Sequence, residues 1–261
     1  MNPALWISKT GVDAQQMRMS VVANNLANAN TTGFKKGRPV FADLLYQNVR
    51  QVGATNGENA QLPSGLMLGT GVRVVATEKI HQQGDVIQTN NAYDLAIEGR
   101  GFFQILTPDG TMAYSRDGGF KISADGVVVT SDGYPLQPSI TIPSDMEPGS
   151  FAVGRDGTVT CVVGGAQQTL GNLQLADFIN PAGLQAMGQN LFVESPASGA
   201  PTVGTPGLQG IGEILQGTLE SSNVNVVEEM VNMIETQRAY EMNSKAISTA
   251  DQMLQYATNQ L

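Results

Sequence analysis

From residue 225 to 261 the chain has neither Gly nor Pro, and apolar residues recur there in a seven-residue step: Val226, Met233, Tyr240, Ile247 and Leu254. Met230, Ile234, Ala246, Ala250 and Ala257 widen that line into a stripe. A step of seven keeps one face of a helix aimed at a partner over many turns, so the pattern predicts a long C-terminal helix. Asn225 is placed to cap it, with Glu228 and Glu229 in the first turn, where carboxylates suit the helix dipole. Asn225 and Glu228 have the spacing of a capping box, with Asn in place of Ser or Thr. The other end of the chain repeats the pattern: Leu5, Val12, Met19 and Leu26 recur every seven residues, with Val22 and Ala29 on the flank. Asn2-Pro3 reads as an N-cap followed by Pro at the first helical position, and Gly33 as the stop. Two seams can bury these stripes, one between the two helices of the same chain and one against other chains.

The middle has a different rhythm. Residues 34–41 read as extended, with room for a short helical turn near Asp43. Residues 51–70 are rich in Gly, Asn, Gln and Ser and read as a long loop or an irregular hairpin. Leu62, Leu66, Met67 and Leu68 make this stretch too apolar for a plain linker. Strand-like runs follow at 72–75, 94–98 and 101–106, then Asp-Gly pairs at 109, 117, 125 and 132 set off short alternating runs, the signature of a β-meander. A further Asp-Gly at 156 opens a hairpin, and runs at 159–163, 173–178 and 190–193 extend the strand count. Residues 195–217 return to loop composition, and Thr218-Leu219-Glu220 reads as one more strand before the last helix. The fold class predicted is α+β: paired terminal helices enclosing a β-rich middle.

Charge changes this picture only modestly. Residues 1–50 carry six Lys/Arg and two Asp/Glu, and residues 51–261 carry eight and twenty-one, so a +4 head precedes a −13 remainder. The basic residues of the head (Lys9, Arg18, Lys35, Lys36, Arg38, Arg50) are scattered and no base-reading motif accompanies them, which argues against nucleic acid as a partner. Charged residues make up 14 % of the chain, well below the ~25 % of average proteins. A surface so poor in charge suits a chain covered by neighbours. No window holds the ~20 apolar residues of a membrane span, and the start lacks the basic and apolar segments of a Sec-type signal.

The residues offer little chemistry. Cys161 is the only cysteine, in a strand-like Thr-Val-Thr-Cys-Val-Val run, so no internal disulfide forms. His81 is the only histidine, in a polar stretch that reads as surface or turn, and one histidine builds neither a His/Cys metal site nor, readily, a Ser-His-Asp set. The repeated aspartates lack the Asp-x-Asp-x-Asp-Gly pattern of a calcium loop and read as turns. The Gly-x-Gly pairs at 69–71 and 99–101 do not open a helix after a strand, so neither reads as a phosphate cradle. No enzyme and no cofactor is expected.

The termini carry a resemblance. The run from Ala23 through Asn24, Asn25, Leu26, Ala27, Asn28, Ala29 and Asn30 to Thr31-Thr32-Gly33-Phe34-Lys35 resembles the N-terminal signature of the flagellar rod and hook protein family. Ser222-Asn223-Val224-Asn225 with Val226-Val227-Glu228-Glu229-Met230, and Gln237-Arg238-Ala239-Tyr240-Glu241, resemble its C-terminal partner motif. Length, the start Leu5-Trp6-Ile7-Ser8-Lys9-Thr10-Gly11, and the stretch from Asp43-Leu44-Leu45-Tyr46-Gln47 to Gly69-Thr70-Gly71-Val72 are most similar to its distal-rod branch, with proximal rod and hook subunits as the alternative. The resemblance implies a helical tube around an export channel that transmits torque from motor to hook. It implies an inner helical domain (D0, residues 1–30 and 224–261), an intermediate region (Dc, 31–72 and 196–223) and an outer β-domain (D1, 73–195). Leu5, Val12, Met19, Leu26, Val226, Met233, Tyr240, Ile247 and Leu254 would then pack between subunits, and residues 46–65 would stiffen the tube against neighbours. The implied partners are copies of the chain, proximal rod proteins, a hook or hook-junction protein, the P and L rings, a rod cap or assembly protein, and the flagellar type III export apparatus. The implied location is the basal body, spanning the periplasm, reached without a cleaved signal peptide.

Overall fold

A computed structural model describes residues 3–51, 64–147 and 149–259, so the expected cap at Asn2 and the loop residues Gly53, Asn56, Gly57, Asn59, Leu62 and Pro63 lie outside the described residues. The chain divides into two compact units: residues 1–27, 37–78 and 225–261 form the first, and 28–36 with 79–224 the second.

The first unit holds both long helices, α1 (Pro3–Ala27) and α2 (Val226–Asn259). Asn225 caps α2 as its sequence predicts: its Oδ1 accepts from the N–H groups of Val227 at 3.0 Å and Glu228 at 3.3 Å. Helix α1 stops at Ala27, six residues before Gly33. The Asn-rich run that follows favours turns over helix because short polar side chains compete for the backbone, and Thr31 N–H bonds back to Asn28 O at 3.2 Å. The same unit holds β1 (Gly37–Asp43), which lies against α1, together with β2 (Gln47–Arg50), β3 (Leu66–Leu68) and β4 (Val72–Lys79). β1 pairs with β4, β2 pairs antiparallel with β3, and the strand at 72–79 joins the helical unit. Asp43 ends β1 and no helical turn forms there.

The second unit is β-rich. Its strands are β5 (Val86–Gln88), β6 (Leu95–Glu98), β7 (Phe102–Leu106), β8 (Met112–Ser115), β9 (Lys121–Ile122), β10 (Val128–Val129), β11 (Leu136–Gln137), β12 (Ala152–Val153), β13 (Thr158–Val163) and β14 (Ala166–Asn172). They continue with β15 (Leu175–Asp177), β16 (Gln185–Gly188), β17 (Leu191–Val193), β18 (Thr202–Gly204), β19 (Glu213–Gln216) and β20 (Thr218–Glu220). The main sheet runs β16-β17-β8-β7-β15-β18, with β11 also paired to β7, and these pairs are antiparallel. Alternation along β7 sends Phe103 into one core, with Leu95, Ile97, Phe120 and Leu175, and Phe102 into the other, with Tyr114, Phe178 and Phe192. Strands β18 and β19 arise within 195–217, which reads as loop; β19 pairs with β6 and buries Ile214 completely.

The Asp-Gly turns form at 109, 125, 132 and 156, but only their glycines are left-handed (φ +77 to +87°). Each glycine N–H bonds to the carbonyl three residues earlier, for example Gly110 to Thr107 at 2.9 Å. This arrangement suits longer loops with a terminal left-handed glycine rather than two-residue turns. Asp117-Gly118 is different: Gly118 lacks positive φ, and a Cβ there would fall 1.6 Å from Leu95 O, so close backbone approach selects this glycine.

Candidate functional site

The helix pair of the first unit is antiparallel, because rising numbers on α1 meet falling ones on α2. A Cβ at Gly11 would lie 3.1 Å from Asn243, Arg18 Nη2 donates to Asn232 Oδ1 at 3.3 Å and pairs with Glu235 at 3.8 Å, and Asn25 Nδ2 donates to Glu229 Oε2 at 3.2 Å. Asn25 also holds the Gly37 peptide at both ends, donating to its carbonyl at 2.9 Å and accepting from its N–H at 2.8 Å. The buried positions of α2 are Glu229, Thr236 and Ala250 with half-buried Asn243 between them, again a seven-residue step. It is offset by three positions from Val226, Met233, Tyr240, Ile247 and Leu254, which at ~100° per residue is about 60° around the helix. Facing it on α1 are Gly11, Ala14, Arg18, Val22 and Asn25, and Gln15 Oε1 is buried with no hydrogen-bond partner among the described residues. The intrachain seam is therefore small and polar at its centre. Polar seam residues fix register at a cost in stability.

The apolar stripe is consequently left open. Val226, Tyr240 and Leu254 are exposed and Met233 and Ile247 half-buried; Leu5, Val12, Met19 and Leu26 are half-buried on α1. Val227, Met230, Val231 and Ile234 follow the i, i+3, i+4, i+7 spacing of a helix face meant for packing, yet they are 70, 50, 50 and 50 % exposed. The seven-residue reading singled out Val226 and Met233; periodicity alone did not mark Val227 and Val231, although their spacing to Ile234 carries the signal. The fourfold run of large apolar side chains belongs to a contiguous patch of a kind that marks interaction surfaces.

The motif residues divide between the two units. Asn25 works in the helix pair, as above, with Asn24 and Ala27 exposed beside it. In the second unit Gly33 (φ +67°) donates its N–H to Glu220 O at 2.8 Å, and a Cβ there would lie 2.5 Å from Asp117 N. Gly33 is thus a close-approach glycine rather than the helix stop. Asn28, half-buried, accepts from Thr31 Oγ1 at 3.2 Å. Asn223 ties three segments: its Oδ1 accepts from Lys36 N–H at 2.7 Å, and its Nδ2 donates to Ile80 O at 2.8 Å and Gln82 O at 3.1 Å. Asn223 N–H reaches Phe34 O at 3.4 Å, and Val224, half-buried, donates its N–H to Ser222 Oγ at 3.3 Å.

Behind Asn223 lies a buried ionic cluster that local sequence gave no hint of. The side chains of Lys35 and Glu220 are fully buried and meet at 2.5 Å. Glu220 also accepts from Gly84 N–H at 2.9 Å and from Arg116 Nη1 at 3.3 Å, and Lys35 Nζ donates to Gln82 O at 2.7 Å. Burial pushes Lys35 and Arg116 downward, with Glu220 opposing the shift in both. Lys79 lies 4.2 Å over the Phe34 ring and is lowered by burial. His81 is not the surface residue its polar neighbours suggest. Both its ring nitrogens are buried, and its ring meets those of Phe102 and Phe192 edge-on at 5.6 and 5.3 Å. Among the described residues no group of three or more His, Cys, Asp or Glu is placed to hold a metal, and no helix is long and apolar enough to cross a membrane.

A monomer that keeps its helix pair in register by polar contacts and exposes its apolar helix face is built as an assembly subunit, and the comparisons with known proteins identify the class. Three family models match: "Flagella basal body rod protein" at residues 7–35, "Flagellar hook protein FlgE/F/G D1 domain" at 96–161, and "Flagellar basal body rod FlgEFG protein C-terminal" at 215–261. The chain belongs to the flagellar basal-body rod protein family, a structural and not an enzymatic one. Among its relatives are proteins named "Flagellar basal-body rod protein FlgG": one from Buchnera aphidicola subsp. Acyrthosiphon pisum is 54 % identical over 257 residues, covering 98 % of each chain. Those of Borreliella burgdorferi and Agrobacterium fabrum are 47 % and 48 % identical over 261 residues, covering 99 % of this chain and 98 % and 99 % of theirs. Membership places the chain in the flagellar basal body and implies self-assembly among flagellar structural partners.

Proposed function

We propose that this chain is the subunit of the flagellar distal rod, a rigid helical tube that carries torque from motor to hook and encloses the export channel. The observation that carries the reading is the open apolar face of α2 beside a polar intrachain seam. Other copies cover that face, so Leu5, Val12, Met19, Leu26, Val226, Met233, Tyr240, Ile247 and Leu254 pack between subunits. Residues 1–30 and 224–261 act as the inner domain, 31–72 and 196–223 as the intermediate region, and 73–195 as the outer domain. The choice of distal rod over proximal rod or hook rests on the full-length similarity to the relatives above. The tube adjoins proximal rod proteins and a hook or hook-junction protein. It runs through the P and L rings across the periplasm and grows under a rod cap, from subunits that leave through the type III export apparatus without a cleaved signal. Residues 46–65 stiffen it: β2 and β3 are exposed along their whole length, and a two-stranded hairpin needs a covering surface to be stable. Met233→Pro tests the proposal, since Pro inside a helix costs ~3 kcal/mol or more. Rod growth and swimming should be lost in a strain carrying it; normal rods and swimming would overturn the reading.

A further inference from the structure

Three separate chain segments of the second unit meet at one side chain. Asn223 holds the carbonyls on both sides of His81, Ile80 O and Gln82 O, while Ile80 N–H bonds to Lys36 O at 2.9 Å and Lys35 Nζ grips Gln82 O. The His81 ring itself makes no hydrogen bond among the described residues; it is held by the edges of Phe102 and Phe192, neither of which carries charge. The charges around it are Lys35 from the 28–36 segment, Lys79 on its own segment and Arg116 after β8, against the one carboxylate of Glu220 that Lys35 and Arg116 already share. Asp177 on β15 also acts on Arg116, and is paired with Arg100 at 3.1 Å. With the Glu220 carboxylate already shared by Lys35 and Arg116 and both ring nitrogens unpartnered, an imidazolium here would sit among cations without a counter-charge of its own.

We propose that His81 is an acid-operated latch: with its ring neutral it locks residues 34–36, 80–84 and 220–223 together, and on protonation it releases these segments while the sheet behind them stays folded. Burial first, then Lys35, Arg116 and Lys79, push the ring from its ordinary 6.5 down to about 4. A released ring takes up its proton near 6.5 and a locked one near 4, so between those values the released state binds more protons. The locked state is therefore favoured above pH ~6.5 and loses about tenfold per pH unit as the pH falls through that window.

The test is amide exchange, expressed as protection relative to intrinsic rates, on the full chain as a dilute monomer at pH 7 and pH 5, above the isoelectric point near 4.5. Protection at 34–36, 80–84 and 220–223 should fall about twentyfold at pH 5, while 102–106 and 173–176 hold theirs. His81→Phe, which fits an aromatic cage and cannot titrate, should keep protection at both pH values; His81→Gln provides the same comparison where Phe disturbs folding. The chain has one histidine, so a single imidazole signal reports its titration in the unsubstituted protein. A ring that titrates near 6.5, equal loss of protection in the sheet, or variants that open at pH 5 as the unsubstituted chain does would each overturn the latch.

Discussion

Replacing Val227 and Ile234 together by serine separates what α2 does for the monomer from what it does for the assembly. The two side chains lie 70 and 50 % exposed on the open face, away from the buried step of Glu229, Thr236 and Asn243. The monomer therefore loses little: exposed substitutions of this kind fall near ±0.5 kcal/mol each, and serine is close to Val and Ile in helix propensity. The assembly loses more. Full burial of a Val or Ile side chain contributes ~1.5–3 kcal/mol, and the exposed fractions leave slightly more than one side chain's worth still to be buried. The expected penalty is about 2–3 kcal/mol per subunit, which at 1.4 kcal/mol per factor of ten raises the critical concentration for polymer growth roughly thirty- to hundredfold. The assay is sedimentation of purified subunit across a concentration series, seeded with rod fragments, beside thermal unfolding of the dilute monomer by circular dichroism. A critical concentration within threefold of the unsubstituted chain, with the monomer folded, would refute the assignment of this face.

Two further predictions concern the contacts that hold each unit. Glu220→Ala leaves Lys35 and Arg116 buried without their carboxylate, and breaking one side of a buried ion pair costs ~3–5 kcal/mol; urea unfolding should show a midpoint lower by at least ~1 M, and an unchanged midpoint would contradict the buried cluster. Asn25→Ala removes the bonds to both ends of the Gly37 peptide and to Glu229. Each net hydrogen bond is worth ~1 kcal/mol and the stranded carboxylate adds to it, so exchange at Gly37 N–H should accelerate at least tenfold, against no change if the contact is incidental.

How much of this was legible in the sequence depends on how local each signal is. The C-terminal helix announces itself through Asn225, the acidic first turn and the absence of Gly and Pro, all within one segment, and it forms where expected. The β-rich middle is legible for the same reason: Asp-Gly turns and alternation are neighbours' properties, and four of the turns form with left-handed glycines. The intrachain seam is not legible, because Glu229, Thr236 and Asn243 read as solvent-facing until Asn25 and Gly11 are brought opposite them. The ionic cluster is further out of reach: Lys35 and Glu220 are 185 positions apart, and each taken alone looks like a surface charge. His81 sits among Lys, Gln and Asp, and its burial is decided by Phe102 and Phe192, which arrive from two strands of the main sheet. Gly33 carries a signal that points the wrong way. Gly after an amphipathic run reads as a helix stop, but here the positive φ serves a close approach to Asp117.

The central claim is that copies of this chain cover the open face of α2. A photoreactive amino acid placed at Val227, the most exposed of the four face residues, tests it in rods assembled in the cell. Illumination should yield an adduct at twice the 27.5 kDa of the chain, composed of two copies of it, and none in dilute monomer. Assembled rods that give no such adduct, or only adducts with a different protein, would contradict it.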